Sequence, residues 1–261
     1  MIKFKKLVCA ASAAVMLGAG GLANSATAVF TELALLMDVS GSVSNDQFLA
    51  QRNGYAAAFA NPLLQTSIAN APGGVAVSLV QWSGAQQQAQ LGGNLPTSWF
   101  HLTNAAQSNA LSVAIFGWTR AWSGQTAPGS AINFITPQFA SNDFAGTRQV
   151  IDVSGDGSQN DGALTSAARD AALFPGGVNQ INGLPILGEA GLFAWYQNNI
   201  QGGVGSFTLA AATFGDFEQI ILSKLNFEIT GTNPVIPVPG ALPLLASGLL
   251  AFGWFARRRK A

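Results

Sequence analysis

Apolar and polar residues follow one another along this chain in blocks that predict strands and helices. Residues 33–37 form an unbroken apolar run, and residues 75–82 have the same character, which is typical of strands buried on both faces. Between them, Ser44 and Gln47 have the spacing of a capping box, so we expect a helix to begin there. Asn61-Pro62 should end it, because a residue before proline disfavours helical backbone.

The same alternation continues to residue 230. It predicts further strands at 148–153, 179–187 and 206–212, a polar edge strand at 86–91, and helices at 104–118, 130–140, 165–173, 189–199 and 214–225. Strands that alternate with helices are typical of a mainly parallel sheet covered on both faces. The fold class predicted from the pattern is therefore α/β.

The first 28 residues have the pattern of a secretory signal peptide. Three lysines precede an apolar run at 7–19, and Ala26-Thr27-Ala28 is a small-x-small cleavage pattern. The alternative is a retained membrane anchor, but the run is shorter than the ~20 residues that a membrane span needs. Cleavage would leave a single domain at 29–230, which is long enough to bury a core.

The composition changes after residue 230. Residues 231–240 are rich in proline and predict an extended linker. Residues 241–256 are apolar and would span ~24 Å as a helix, while Trp254 and the basic residues 257–261 offset part of the shortfall against a bilayer. We expect a transmembrane helix with a basic cytoplasmic tail. A buried core helix is the alternative, and the position after a proline-rich linker disfavours it.

Charge and reactive side chains exclude several classes of function. The domain has five basic and twelve acidic side chains, a net charge of −7, which disfavours nucleic acid as a partner. The only cysteine, Cys9, lies in the signal peptide, so the domain has no disulfide and no thiolate chemistry. The only histidine is His101, and no Gly-x-Ser-x-Gly pattern is present. We therefore expect no enzyme and take His101 for a packed residue of a surface loop.

Oxygen-bearing side chains follow the first predicted strand. Asp38, Ser40 and Ser42 stand at alternate positions after its apolar run. Thr126 lies in a loop before a helix, and Asp156 follows a later strand. In open α/β sheets, ligands bind beyond the carboxyl ends of the strands, and oxygen atoms are the ligands of hard cations. The pattern favours a cation site, and a helix-initiating turn without metal is the alternative.

This constellation resembles the metal-ion-dependent adhesion site (MIDAS) of von Willebrand factor type A (vWA) domains. Residue by residue, the five MIDAS positions correspond to Asp38, Ser40, Ser42, Thr126 and Asp156. More narrowly, the domain resembles a bacterial family of unknown function within that group, through residues 51–59, 81–83, 150–157 and 181–186. The resemblance implies a Rossmann-like, doubly wound sheet with a divalent cation at its top, Mg²⁺ first and Mn²⁺ or Ca²⁺ as alternatives. It also implies a protein or polymer partner that offers a carboxylate to the ion.

A calcium loop is a competing interpretation of the later acidic motif. Asp152, Ser154 and Asp156 have the spacing with which such a loop begins. The twelfth position, which requires a bidentate glutamate, is Ala163. We therefore favour a structural role for Asp152 at the end of its strand.

The end of the chain resembles a second known element. Residues 236–243, the apolar run and the arginines are similar to a PEP-CTERM sorting signal in its Val-Pro-Leu-Pro-Ala form. The resemblance implies export through the inner membrane, transient anchoring there, and processing by an exosortase-type peptidase. It implies delivery to the cell surface or extracellular matrix of a Gram-negative bacterium. We expect an exported adhesion module, with a metal-free structural matrix protein and a secreted hydrolase as alternatives.

Overall fold

The computed structural model describes residues 26–95 and 97–232. Its strands are β1 (Thr27–Asp38), β2 (Val75–Trp82), β3 (Gln88–Gln90), β4 (Phe100–Leu102), β5 (Phe144–Gly155), β6 (Gln180–Pro185) and β7 (Gly202–Gly203). Its helices are α1 (Asn45–Ala60), α2 (Pro62–Asn70), α3 (Ala105–Phe116), α4 (Pro128–Ile135), α5 (Thr165–Ala172), α6 (Leu192–Asn199) and α7 (Phe217–Thr230), with a 3₁₀ helix at Thr136–Ala140.

Most of the predicted signal peptide and all of the predicted sorting motif, transmembrane helix and basic tail lie outside the described residues. Within the described ranges, no helix is long and apolar enough to cross a membrane. Strand β1 begins at Thr27, so Thr27 and Ala28 of the predicted cleavage pattern are already part of the sheet.

The strands form one seven-stranded sheet in the order β3-β2-β1-β5-β6-β7, with β4 paired to β2. Strands β2, β1, β5 and β6 run parallel to one another, whereas β3, β4 and β7 pair antiparallel at the edges. The α/β class and the mainly parallel sheet are therefore confirmed. Since β1 lies between β2 and β5, the loops that follow these strands meet at one edge of the sheet.

Alternate residues of β1 supply two separate cores. Leu33, Leu35 and Met37 pack against α1, α2, α3 and α7 on one face. Ala34 and Leu36 pack against α4, α5 and α6 on the other. The strand is apolar throughout because both of its faces are covered, as in other parallel sheets. Burial of each Leu or Met side chain stabilises the folded state by about 1.5–3 kcal/mol. This packing holds β1 and the loop that follows it in place.

The start and end of α1 and the bounds of β2 agree with the predictions from the sequence. The capping box at Ser44 and Gln47 is formed, α1 ends at Ala60, and strand β2 covers residues 75–82 as predicted. Helix α2 was not predicted. Pro62 ends α1 but also stands in the first turn of α2, where its missing N–H costs nothing, and Asn61 accepts a hydrogen bond from Leu63 as the cap.

The predicted strand at 206–212 was wrong as a regular element. Only two isolated bridges, Gly183–Thr208 and Ile186–Ala211, join this segment to β6 in the described structure. Pro185 lies between them and has no N–H to donate, so the parallel ladder is interrupted there. The last helix also begins and ends later than predicted, and Gly231, in left-handed backbone, closes it.

Candidate metal centre

Asp38 is the last residue of β1, and its side chain is fully buried. Its Oδ1 accepts a hydrogen bond from the backbone N–H of Ser40 at 2.7 Å, and its backbone oxygen accepts one from Gln51 Nε2 at 3.1 Å. Its Oδ2 has no hydrogen-bond partner in the described part of the chain. Desolvation by burial raises the pKa of this carboxyl to about 7. A cation beside Oδ2 would remove the cost of burying the charge.

Four of the five predicted ligands lie in one continuous cluster. Ser40 Oγ is 3.1 Å from Ser42 Oγ, and Ser42 Oγ donates a hydrogen bond to Asp156 Oδ1 at 2.6 Å. With the bond between Ser40 and Asp38, this joins the loop after β1 to the loop after β5. Ser40 is fully buried, while Ser42 is exposed and Asp156 is half-buried, so the cluster reaches from the core to the surface.

Thr126 is held next to this cluster by loop contacts. Its backbone N–H donates to Asn160 Oδ1 at 2.8 Å, and its carbonyl accepts from the N–H groups of Asn160 and Asp161 at 3.0 and 3.2 Å. A Cβ atom built on Gly157, the neighbour of Asp156, would lie 4.0 Å from Thr126 Oγ1. The segment after β5, which carries Asp156 and Gly157, therefore lies next to the loop that carries Thr126. No side-chain hydrogen bond within the described residues joins Thr126 to the other four predicted ligands.

Arg120 holds the serine loop, and the sequence analysis missed this role. Its Nη2 donates to the backbone oxygens of Val39 and Ser40 at 2.9 and 2.8 Å, and its Nη1 donates to Asn45 Oδ1 at 3.2 Å. The planar guanidinium thus joins the end of β1 to the start of α1. Its rarity was the only available signal, because the acidic domain has five basic side chains in all.

A second missed residue, Ser83, holds the threonine loop to the end of β2. Its Oγ accepts from the N–H of Gly124 at 2.7 Å and donates to the carbonyl of Gln125 at 3.1 Å. The carbonyl of Gly124 in turn accepts from the N–H of Gly41 at 2.7 Å. The loops after β1 and β2 are therefore joined to the threonine loop by backbone and hydroxyl hydrogen bonds.

Gly155 and Tyr196 form the floor beneath Asp38. A Cβ on Gly155 would lie 2.6 Å from Asp38 Oδ2 and 2.8 Å from Tyr196 Oη, so only glycine leaves room for both oxygens. Tyr196 is fully buried on α6, and its hydroxyl has no hydrogen-bond partner among residues 26–95 and 97–232. Burial, and next the charge of Asp38, raise the pKa of Tyr196 well above its usual value. The sequence predicts only that Tyr196 lies in a helix at 189–199 and does not indicate this contact.

The donor set fits a hard divalent cation. It consists of oxygen atoms only, from two carboxylates and three hydroxyls, and one buried carboxylate oxygen has no other partner. No three His, Cys, Asp or Glu side chains cluster as metal ligands in the described ranges, so the set differs from nitrogen- and sulfur-based sites and from acid-rich calcium sites. Five side-chain ligands leave one position of an octahedral shell open, so an ion held here can accept a further oxygen ligand from a partner.

Two other residues considered from the sequence lie away from this centre. Asp152 is inside β5 rather than at its end, and its Oδ1 is 2.7 Å from Lys224 Nζ in the core. His101 is in strand β4 rather than in a loop, with its Nε2 2.8 Å from the carbonyl oxygen of Gly73. It pairs with Ala76, six residues and about 20 Å before the carboxyl end of β2, so it takes no part in this site.

A family model described as a protein of unknown function, DUF1194, matches residues 28–233. The chain belongs to the DUF1194 family. A search among curated proteins gives no match.

The fold of this DUF1194 chain is similar to the folds of several solved structures. It is similar to proximal thread matrix protein 1 from the mussel byssus, with a TM-score of 0.55, 14% identity, and coverage of 78% of this chain and 49% of that one. A structure of the same mussel protein with a zinc-occupied MIDAS motif matches with a TM-score of 0.55 and 17% identity, again with coverage of 78% of this chain and 49% of that one. The pilus adhesin SpaC from Lactobacillus rhamnosus GG gives 0.53 and 16%, with coverage of 77% and 31%. This chain thus spans about half the length of the mussel protein, and the likeness shows a vWA-like fold.

Proposed function

We propose that this protein is an exported adhesion module that binds a divalent cation at the edge of its sheet. Mg²⁺ is the favoured cation, and Mn²⁺ and Ca²⁺ are alternatives. The ligands of the cation are Asp38, Ser40, Ser42, Thr126 and Asp156. The observation that carries the proposal is the buried Oδ2 of Asp38, which has no partner in the described structure, while hydrogen bonds join Asp38 to Ser40, Ser42 and Asp156 in one cluster. The zinc-occupied MIDAS motif of the mussel protein supports a cation at the equivalent place in this fold.

The ion would act as a binding device toward a partner's carboxylate. The five side chains leave one position of an octahedral shell open, so a carboxylate from outside completes the shell. His101, the only histidine of the chain, is about 20 Å away, so no histidine can act as a general base beside the serine hydroxyls. A binding role therefore fits better than hydrolysis.

A cleft of about 400 Å³ opens beside the metal centre and indicates what accompanies the carboxylate. Asp156 lies on its wall, together with Ile186, Leu187 and Phe214, and Gln47 supplies an amide. Apart from Asp156, the lining has no charged side chain. We propose a partner segment in which an acidic residue stands next to an apolar one, with the apolar side chain in this cleft.

The two ends of the chain supply the localisation. Residues 1–28 act as a signal peptide, and residues 236–261 act as a PEP-CTERM signal, whose helix at 241–256 anchors the protein in the inner membrane until an exosortase-type peptidase releases it to the surface or matrix. The support is the sequence pattern alone. Helix α7 ends at Thr230, so the linker at 231–240 would follow the folded domain directly.

The test uses residues 26–232, which contain the whole sheet and both helical layers, immobilised on a surface. The probes are short peptides that present Glu next to Phe and matched peptides with Gln in place of Glu. We expect the Glu peptide to be retained in Mg²⁺, released by chelator, and not retained by Asp38→Ala. Equal retention of the Gln peptide, or retention in chelator, would contradict the proposal.

A further inference from the structure

A second group of charged side chains lies inside the core, on the α7 side of the sheet. Lys224 and Glu228 come from α7 and Asp152 from β5, and all three are fully buried. Lys224 Nζ lies 2.7 Å from Asp152 Oδ1 and donates a hydrogen bond to Glu228 Oε1. The metal centre does not use any of these groups.

The charged groups of Lys224, Asp152 and Glu228 have an aromatic neighbour and receive few hydrogen bonds from side chains outside the cluster. The ring of Phe207 lies 5.0 Å from Lys224 Nζ, and Asn182 Nδ2 donates to Glu228 Oε1 at 2.8 Å. Neither oxygen of Asp152 has a hydrogen-bond partner of acceptable geometry in the described structure, although Nζ is within 2.7 Å. The amine thus meets the carboxyl group of Asp152 at contact distance without the alignment of a hydrogen bond.

An ion cluster is an expensive way to fill such a space. Buried charges are costly to desolvate, and here two carboxyl groups share one ammonium. Burial, and next the charge of Asp152, raise the pKa of Glu228 to about 7, so Glu228 holds a proton over part of the neutral range. In apolar surroundings, a reaction that removes both charges of an ion pair is favoured over keeping the pair.

We propose that Lys224 and Asp152 condense into an intramolecular amide, an isopeptide bond that joins α7 to β5. A proton passes from Lys224 Nζ to Asp152, the lone pair of Nζ then attacks Cγ, and a C–N bond forms. Glu228 gives its proton to the departing hydroxyl group and takes one from the nitrogen, the C–O bond breaks, and one water molecule leaves. No oxidant, reductant or co-reactant is needed. Glu228 is unchanged at the end, as a general acid–base group should be.

The geometry supplies what this reaction requires. A buried amine is activated as a nucleophile by desolvation in an apolar pocket. The fold holds the amine in contact with both the carboxyl group of Asp152 and the proton carrier Glu228, which replaces an encounter in solution. The bond would close a covalent loop from residue 152 to residue 224 and fasten the last helix to a central strand. A pull on the chain beyond α7 would then pass to the sheet through a covalent bond.

Mass spectrometry of residues 26–232 tests the proposal without any variant. We expect the intact wild-type mass to be lower than the sequence mass by one water molecule, and a digest to contain one branched peptide that joins Lys224 and Asp152. A wild-type protein of full sequence mass, with the two residues in separate peptides, would overturn the proposal.

Three variants identify the reacting groups. Asp152→Asn would lose ammonia instead of water and should reach the same final mass as the wild-type product. Asp152→Ala should keep its full mass. Glu228→Ala should react about a hundredfold more slowly, because it lacks the proton carrier. Circular dichroism checks that each variant is folded, and a water-sized mass deficit in folded Asp152→Ala would overturn the assignment. Metal titration of the same samples separates this outcome from that of the cation site.

Discussion

Gly155→Ala tests whether Asp38 must stand where the structure puts it. The added Cβ would lie 2.6 Å from Asp38 Oδ2 and 3.0 Å from Asp38 Cβ, whereas ordinary contacts begin at 3.4 Å. Oδ2 would have to retreat by about 0.8 Å, or the strand would have to shift. Overpacking of this kind costs about 1–3 kcal/mol of stability. Displacement of a metal ligand should lower cation affinity by about tenfold to a hundredfold, the usual range for disturbed supporting groups.

The assay is a calorimetric titration of residues 26–232 with Mg²⁺ or Mn²⁺, together with thermal unfolding. Gly117→Ala is the matched control, because it stands at the end of α3 in right-handed helical backbone and its Cβ would have no contact closer than 3.7 Å. We expect the control to bind as the wild type does. If Gly155→Ala binds within twofold of the wild type, Asp38 Oδ2 is not a ligand and the argument from its burial fails.

Three further predictions follow from the same contacts. In chelator, the free energy of unfolding should fall as pH rises from about 4 to about 7, because Asp38 and Glu228 have folded-state pKa values near 7 against ordinary values of 3.8 and 4.5; a rise measured over this interval by denaturant titration would contradict this. Arg120→Ala should weaken cation binding about tenfold by calorimetry, while Arg169→Ala, which removes an ion pair with Asp170 and a hydrogen bond to the carbonyl oxygen of Asn198, should not; equal effects would refute the role of Arg120. Deletion of residues 241–261 should move the folded protein into the growth medium, as followed by fractionation and circular dichroism, whereas aggregation would show that this segment belongs to the core.

The sheet was predictable because its strands carry their pattern locally. The apolar run of β1 and the capping box of α1 each specify an element within about ten residues, without tertiary information. Elements that depend on a neighbour were missed. Strand β4 has three residues and exists only as a partner of β2, and the segment at 206–212 loses its ladder because Pro185 lies in the adjacent strand.

The residues of the candidate site likewise fall into those that the local sequence indicates and those that only tertiary contacts reveal. Asp38, Ser40 and Ser42 were found because they are close in sequence and follow a strand. Arg120 and Tyr196 were not, since their roles depend on contacts with residues about 40 to 80 positions away. A base in a loop and an aromatic residue on a helix face give no such signal until the fold brings them to the end of β1.

The buried cluster of Asp152, Lys224 and Glu228 could not be predicted from the sequence, for a further reason. Asp152 lies next to the last residue of the predicted strand at 148–153, and Lys224 lies on a helix where a lysine is ordinarily solvated. Only the packing of α7 on β5 shows that both are fully buried and in contact.

The most direct measurement is a calorimetric titration of residues 26–232 with Mg²⁺, run beside Asp38→Ala and an Asp170→Ala control that removes an exposed acid. The account predicts one binding site in the wild type and in the control, and none in Asp38→Ala. If the wild type takes up no Mg²⁺ or Mn²⁺, or if Asp38→Ala binds as well as the control, the five oxygen ligands do not form a metal centre.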